Sequence, residues 1–228
     1  MKNLKDIPII INNFNRLTTL KKLIHSLEIR GYFNIKIIDN NSTYPELIEY
    51  YKTSKYKVYR LNKNIGFKAL WKTKVFLHHM FGYFCYTDSD LEIIEECPDD
   101  FMNVFYNYLK KNRDVHKIGF SLKIDDLPNH FDKKEEVINW ESRFQQNKVD
   151  GNFYVAPIDT TFALYRPFSR RGKRDGSMKM IRTGYPYQMR HLPWYINSSK
   201  LSKEEIYYLN SVKRPTHWTS SKNKTTTS

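Results

Sequence analysis

The sequence predicts an α/β protein, a single domain built on a mixed, mostly parallel sheet with helices on its flanks. Three observations lead there. Short β-branched runs alternate with amphipathic helical stretches through the first half of the chain, and this alternation implies crossover connections between parallel strands. Asparagine, aspartate and serine gather where those runs end. The 228 residues, 40% apolar and 15% aromatic, can build a substantial core, as one large domain or two small ones.

Ile7-Pro8-Ile9-Ile10-Ile11-Asn12 reads as a strand buried on both faces. It runs into the polar turn Asn12–Arg16. Leu20, Leu23, Ile24 and Leu27 then recur at i, i+3, i+4 and i+7, the stripe of an amphipathic helix that Gly31 stops. Ile35–Asp39 is a second strand, ending in Asn40-Asn41-Ser42-Thr43. Pro45 suits the first turn of a helix to Lys52, and Tyr56–Leu61 reads as a third strand. Asn64-Ile65-Gly66 introduces a third helix with Phe67, Leu70, Trp71 and Val75 on its apolar face. His78 and His79 lie near its end, where a cation complements the helix dipole.

The apolar run Phe81–Tyr86 is the fourth strand. Beyond it, Pro98 to Lys111 reads as a helix and Ile118–Leu122 as a strand. Asp125–Asn147 has no clean period, and Trp140 and Phe144 mark one packed turn or short helix. Phe153–Ala156 and Thr161–Tyr165 read as strands on either side of Pro157-Ile158-Asp159. There is no internal repeat, and the polar tail Thr219–Ser228 reads as disordered.

The formal net charge of +14 fits an anionic substrate, an acidic membrane surface or nucleic acid, and by itself does not choose among them. Cys85 and Cys97 make neither a disulfide framework nor a zinc site. Cys85, inside the fourth strand, reads as a buried thiol in a reducing, intracellular setting. No signal-peptide pattern follows Met1 and no stretch of about eighteen apolar residues occurs. The expectation is a cytoplasmic protein, soluble or in peripheral contact with an acidic membrane surface. Arg166, Arg170, Arg171, Lys173, Arg174, Lys179 and Arg182 form a dense basic segment with Gly172 and Gly176. It reads either as a solvated connection or as a mobile loop closing over a diphosphate.

The most chemically specific stretch is Tyr86-Thr87-Asp88-Ser89-Asp90-Leu91. Two carboxylates two residues apart at the end of a buried strand suit Mg²⁺ or Mn²⁺, which take one or two carboxylates plus substrate phosphates. A turn that merely ends the strand is the plainer alternative. In an alternating α/β sheet ligands bind beyond the carboxyl ends of the strands, so Asn12, Asp39 and Asp88 are candidates for one site.

Four segments in order, Pro8–Arg16 with its helix, Ile35–Thr43, Asn62-Lys63-Asn64-Ile65-Gly66 and Thr87-Asp88-Ser89-Asp90, give the first half of the chain a resemblance. It resembles the family 2 nucleotide-sugar glycosyltransferases, which have the Rossmann-like GT-A fold. The resemblance implies a donor-binding half over residues 1–95 and an acceptor-side half over residues 96–218. Asn12 and Asn15 would lie near the base, and Asp39 would accept a hydrogen bond from its edge, commonly uracil. Asn64 would belong to the same donor site. Asp88 would contact the ribose or the metal and Asp90 would bind the metal, Mn²⁺ or Mg²⁺. The implied reaction is transfer of a sugar, hexosyl in type, from a nucleotide diphosphate sugar, commonly UDP-linked, to a glycan, lipid-linked or protein acceptor in glycan or polysaccharide assembly. Nucleic acid is not an expected partner.

The second half departs from the common pattern, with no Glu-Asp pair where an inverting member often carries its base. Asp159 is the candidate general base, with a strand-initiating turn residue as the alternative. His191 matches the position where many GT-A enzymes bring a histidine to the metal, with a surface histidine in an aromatic loop as the alternative. Trp194 and Tyr195 could form a sugar platform or belong to the core. Two rivals stand beside this reading. A non-catalytic basic nucleic-acid-binding module leaves Asp39, Asp88 and Asp90 without a role. A nucleotidyltransferase on a related fold would carry glycines after the first strand, where Asn12–Arg16 has none.

Overall fold

The computed structural model describes residues 3–169 and 178–212. The tail 219–228 and the glycines of the basic segment lie outside the described residues. Among the described residues the chain runs β1 (Ile9–Asn13), α1 (Thr18–Glu28), β2 (Ile35–Asp39), α2 (Pro45–Thr53), β3 (Lys57–Arg60), α3 (Val75–His79), β4 (Phe84–Asp88), β5 (Leu91–Ile93), α4 (Phe101–Lys111), β6 (Val115–Gly119), β7 (Ser121–Leu122), α5 (Lys134–Ser142), β8 (Lys148–Asp150), β9 (Phe153–Val155), β10 (Ala163–Tyr165), β11 (Lys179–Thr183), β12 (Gln188–His191) and α6 (Lys203–Ser211).

The large sheet has the order β3-β2-β1-β4-β10-β6-β11-β9-β8. Strands β3, β2, β1 and β4 are parallel, as the alternating sequence predicts. β10 then enters antiparallel between β4 and β6, and β6 and β11 form a further parallel pair. The two halves of the chain therefore share one sheet. A small sheet, β5-β12-β7, stands beside it.

The two-residue period of the strands sorts side chains to two layers. Ile9 and Ile11 of β1 point to the layer built with Leu20, Leu23 and Leu27 of α1 and Phe101, Phe105 and Leu109 of α4. Ile10 points the other way, toward Leu70, Val75, Phe84, Tyr86 and Tyr165. Both faces of β1 are buried throughout, which is why its sequence reads as an unbroken apolar run. Cys85 and Cys97 are free, buried thiols.

Four expectations needed correction. The fourth strand begins at Phe84, three residues into the apolar run, and continues through Asp88, leaving Phe81 exposed outside it. The third helix is two 3₁₀ turns, Gly66–Lys68 and Leu70–Lys72, followed by the short α3. Thr73, in extended backbone (φ −126°, ψ 162°), breaks the run. The strand expected over Ile118–Leu122 divides at Phe120. A Cβ on Gly119 would collide with the Phe162 carbonyl oxygen, so only glycine permits the close approach of β10 there. The chain then leaves the large sheet and joins the small one as β7. Finally, the end of the basic segment is β11, not loop. Lys179 pairs with Asp114 at 2.9 Å, and Arg182 is buried against Glu141 at 2.6 Å. Arg166, at the segment's start, donates to the carbonyls of Val115, Leu109 and Asn112. These three cations are committed to the fold.

Candidate active site

A cleft of about 2070 Å³ opens beyond the carboxyl ends of β1, β2 and β4. Strand register builds its floor. β1 pairs with β4 so that Asn12 lies beside Asp88, and with β2 so that Asn13 lies beside Asp39. Asn12 Nδ2 donates to Asp88 Oδ1 at 3.0 Å, and Asn12 Oδ1 accepts from Asn40 Nδ2 at 2.5 Å. Asn40 Oδ1 accepts from the Ile65 amide at 3.1 Å. One chain of side-chain amides thus ties the ends of β1, β2 and β4 to the loop carrying Asn64. Asn64 lines the cleft and accepts from the Gly66 amide, where φ is +66°.

Asp88 and Asp90 both face the cleft. Burial, and then the Asp90 charge, push the Asp88 carboxyl above the ordinary carboxylate range, although hydrogen bonds from Asn12 and Thr160 work against this. Burial also opposes ionisation of Asp90, but His191 and Arg16 outweigh it and hold that carboxyl low. His191 Nε2 stands 3.6 Å from Asp90 Oδ2. The antiparallel pairing of β12 with β5 brings it there, and the Leu192 amide donates to the Asp90 carbonyl at 2.8 Å.

Asp159 also lines the cleft, close enough for its charge to act on Asp88. Its loop is anchored twice. The Thr160 carbonyl accepts from the Asp88 amide at 3.0 Å. Below it, the fully buried Lys117 donates Nζ to the carbonyls of Ile158 (2.8 Å) and Asp159 (3.3 Å) and to Tyr165 Oη (2.9 Å).

Two residues expected at the base are turned inward. Asp39 is fully buried, accepting from the Ser42 amide (3.0 Å) and Tyr51 Oη (3.2 Å), with Arg60 at 3.5 Å. Asn15, at φ +50°, accepts from the amides of Thr43 and Tyr44 and donates to Ser211 Oγ. Both brace the loops that frame the cleft without lining it. Trp194 is buried, its ring 4.7 Å from that of His191, and Tyr195 Oη donates to Asp126. Neither is an open sugar platform. Two exposed aromatics line the cleft, Phe67 and Trp140, with Arg143 stacked 3.9 Å above the Trp140 ring.

Arg16 and α6 also enter the site without having been singled out. The Arg16 guanidinium, buried, pairs with Glu205 at 2.5 Å and lies 3.8 Å over the Tyr208 ring. Glu204 accepts from the amides of Leu17 and Thr18, capping α1 with a carboxylate from α6. The signal for α6 was Ser202-Lys203-Glu204-Glu205, a capping-box pattern in which Ser202 Oγ accepts from the Glu205 amide.

Two carboxylates and an imidazole suit Mn²⁺. The 3.6 Å between Asp90 and His191 is close to the separation of neighbouring ligands on one ion. Among the described residues no group of three or more His, Cys, Asp or Glu side chains is placed to hold a metal ion.

No protein-family model and no curated protein matches the sequence. Solved structures do match the fold. GalNAc-T7, in a crystal structure with UDP, GalNAc and Mn²⁺, aligns over 81% of this chain at a TM-score of 0.50 and 15% identity. The fold is GT-A. S. aureus TarS (residues 1–349) aligns over 71% of this chain and 47% of its own, at 0.43 and 15% identity. Glucosyl-3-phosphoglycerate synthase from Mycobacterium tuberculosis, in complex with phosphoglyceric acid, aligns over 71% and 56%, at 0.43 and 12%. The chain spans 43% of the length of the GalNAc-T7 structure.

Proposed function

We propose that this chain is a metal-dependent glycosyltransferase that moves a sugar from a nucleotide diphosphate sugar, UDP-linked, to an acceptor hydroxyl. The observation that carries this is that Asp88, Asp90 and His191 line one cleft at the carboxyl end of β4, with His191 Nε2 3.6 Å from Asp90 Oδ2. The GalNAc-T7 structure of the same fold holds UDP and Mn²⁺, which supports the same ligand classes here.

In this reading Asp90 and His191 hold Mn²⁺ or Mg²⁺, with Asp88 completing the protein's share. The cation supplies charge neutralisation for the leaving diphosphate. Asn12 fixes the orientation of Asp88, and Arg16 adds a buried positive charge beside Asp90. Asp159 takes the proton of the acceptor hydroxyl, its position set by Lys117 and by the bond from Asp88 to Thr160. Asn12 and Asn64 face the nucleotide. Asn15 and Asp39 shape its pocket from behind. The cleft is about twice the largest ordinary small-molecule pocket, roughly 1,000 Å³. The excess accommodates an extended acceptor along the wall bearing Trp140 and Arg143. A nucleic-acid-binding role is less well supported, because carboxylates on the floor repel phosphates unless a cation intervenes.

Calorimetry with UDP tests this. The parent should bind UDP only with Mn²⁺ or Mg²⁺ present, and Asp90→Asn, still folded, should bind at least about tenfold more weakly. Metal-independent UDP binding, or unchanged affinity in Asp90→Asn, would refute the reading.

A further inference from the structure

Far from the cleft, at the start of β4, the molecule exposes a cluster of large apolar side chains. Phe81 is 73% exposed, Phe168 58% and Leu77 57%. Phe81 precedes β4 by three residues, and Phe168 follows β10 by three. These strands pair with Tyr165 opposite Phe84, so both rings come from the same sheet end. The rings meet edge to face, with centroids 5.3 Å apart. Asp88 is at the other end of β4, about 13 Å from Phe84 by strand rise. The backbone is strained to hold Phe168 there, at φ +59°, while its amide donates to the Met80 carbonyl at 2.6 Å. The aromatic partner of this strained phenylalanine, Phe81, is itself in water, so the pair gains little from the described fold in return for the strain.

The charge around this knob is mostly of one sign. Residues 50–87, which carry Leu77 and Phe81, include eight Lys and Arg and no Asp or Glu; of these, Lys52, Lys55 and Arg60 pair with Glu49, Glu28 and Asp39, and Lys63 lines the cleft. Asp114, at the same end of the sheet, is paired with Lys179. Lys72 and Lys74 are exposed on the approach to α3. Partial burial, with the charges of His78, Lys36 and Lys57, holds the His79 imidazole below its usual value, a further sign of a cationic surface. Aromatic side chains projecting from a cationic surface match an anionic bilayer, whose headgroups attract lysine while its hydrocarbon edge accepts phenylalanine.

We infer that the Phe81–Phe168 knob, with Leu77 and the lysines beside it, is a peripheral docking site for an acidic lipid membrane. Docked this way, the sheet stands on the bilayer by the amino end of β4 and the cleft opens away from it, toward water. The inference does not depend on the donor chemistry of the cleft.

Co-sedimentation of the full chain with vesicles tests it. The parent should bind phosphatidylcholine vesicles containing about 30% phosphatidylserine and not phosphatidylcholine alone. Phe81→Ser/Phe168→Ser should weaken that binding about tenfold or more, because the lost term is apolar burial. Lys72→Glu/Lys74→Glu should weaken it through charge and make the residual binding less salt-sensitive. Phe81→Trp should show a blue-shifted emission on acidic vesicles, a readout that survives if the double variant folds poorly. Equal binding of parent and Phe81→Ser/Phe168→Ser would assign the affinity to charge alone and overturn the inference. So would absence of binding by the parent, an unshifted emission from the Phe81→Trp variant, or a preference for duplex DNA over acidic vesicles.

Discussion

Asn12 Nδ2 donates to Asp88 Oδ1 at 3.0 Å, joining the ends of two adjacent parallel strands at the point where the cleft is deepest in charge. That bond holds a carboxylate in a place where the apo protein gains little from its ionisation.

Burial and the neighbouring Asp90 raise the Asp88 carboxyl, so folding favours its protonated form. Its contribution to stability is present at low pH and is lost as pH rises from the ordinary carboxylate range toward neutrality. Asp88→Asn keeps an acceptor for Asn12 and removes the repulsion. With metal chelated, this variant should be more stable than the parent near pH 7 by about 1–3 kcal/mol, and the gap should close toward pH 4. Thermal unfolding across that pH range measures it. A variant no more stable than the parent at pH 7 would contradict the placement of Asp88.

Lys117 acts through the loop it holds. Lys117→Met leaves the carbonyls of Ile158 and Asp159 without that donor, an expected loss of about 1–3 kcal/mol in stability. It should also lower the transfer rate while UDP affinity stays near the parent's. Asp159→Asn should lower the rate further, by about 10²–10⁴, with donor binding unchanged. If Lys117→Met lost stability but transferred sugar at the parent rate, the lysine would serve the core alone.

Arg182 and Glu141 form a buried pair beside the acceptor wall, with the Arg182 guanidinium 4.0 Å over the Phe144 ring. Glu141→Ala strands a buried cation and should cost about 3–5 kcal/mol. Arg182→Met/Glu141→Leu should cost clearly less than the two single changes together, as denaturant unfolding would show. Additive losses would mean that the two charges are satisfied independently.

The first half of the fold was legible because β1, buried on both faces, leaves the unbroken apolar run Ile9–Ile11, and because Ile35, Ile37 and Ile38 mark β2 on either side of Lys36. β5 and β7 left no such trace, because strands of two or three residues are too short to show a period. β11 was hidden by its own charges, since the acids that neutralise Lys179 and Arg182 lie 65 and 41 residues away. In the site, the Asp88–Asp90 pair stood out through its spacing at a strand end. Asp39 and Asn15 were legible as motif residues, but strand direction does not reveal which polar side chains turn toward a loop and which toward a cleft. The Arg16–Glu205 pair spans 189 residues, and no local pattern connects its members.

The closure of α6 onto α1 sets an order of assembly. Glu204 reaches the ribosome exit 186 residues after Thr18, whose amide it caps, so α1 is made and can pack against β1 long before its amino end is satisfied. Until α6 arrives, Arg16 is a cation without its carboxylate, in a notch open to any anion nearby. Synthesis that stalls before Lys203 leaves a sheet able to collapse but with one wall of the cleft missing. Helix α6 thus acts as a completion mark, because the wall it adds to the cleft exists only in chains that have reached it.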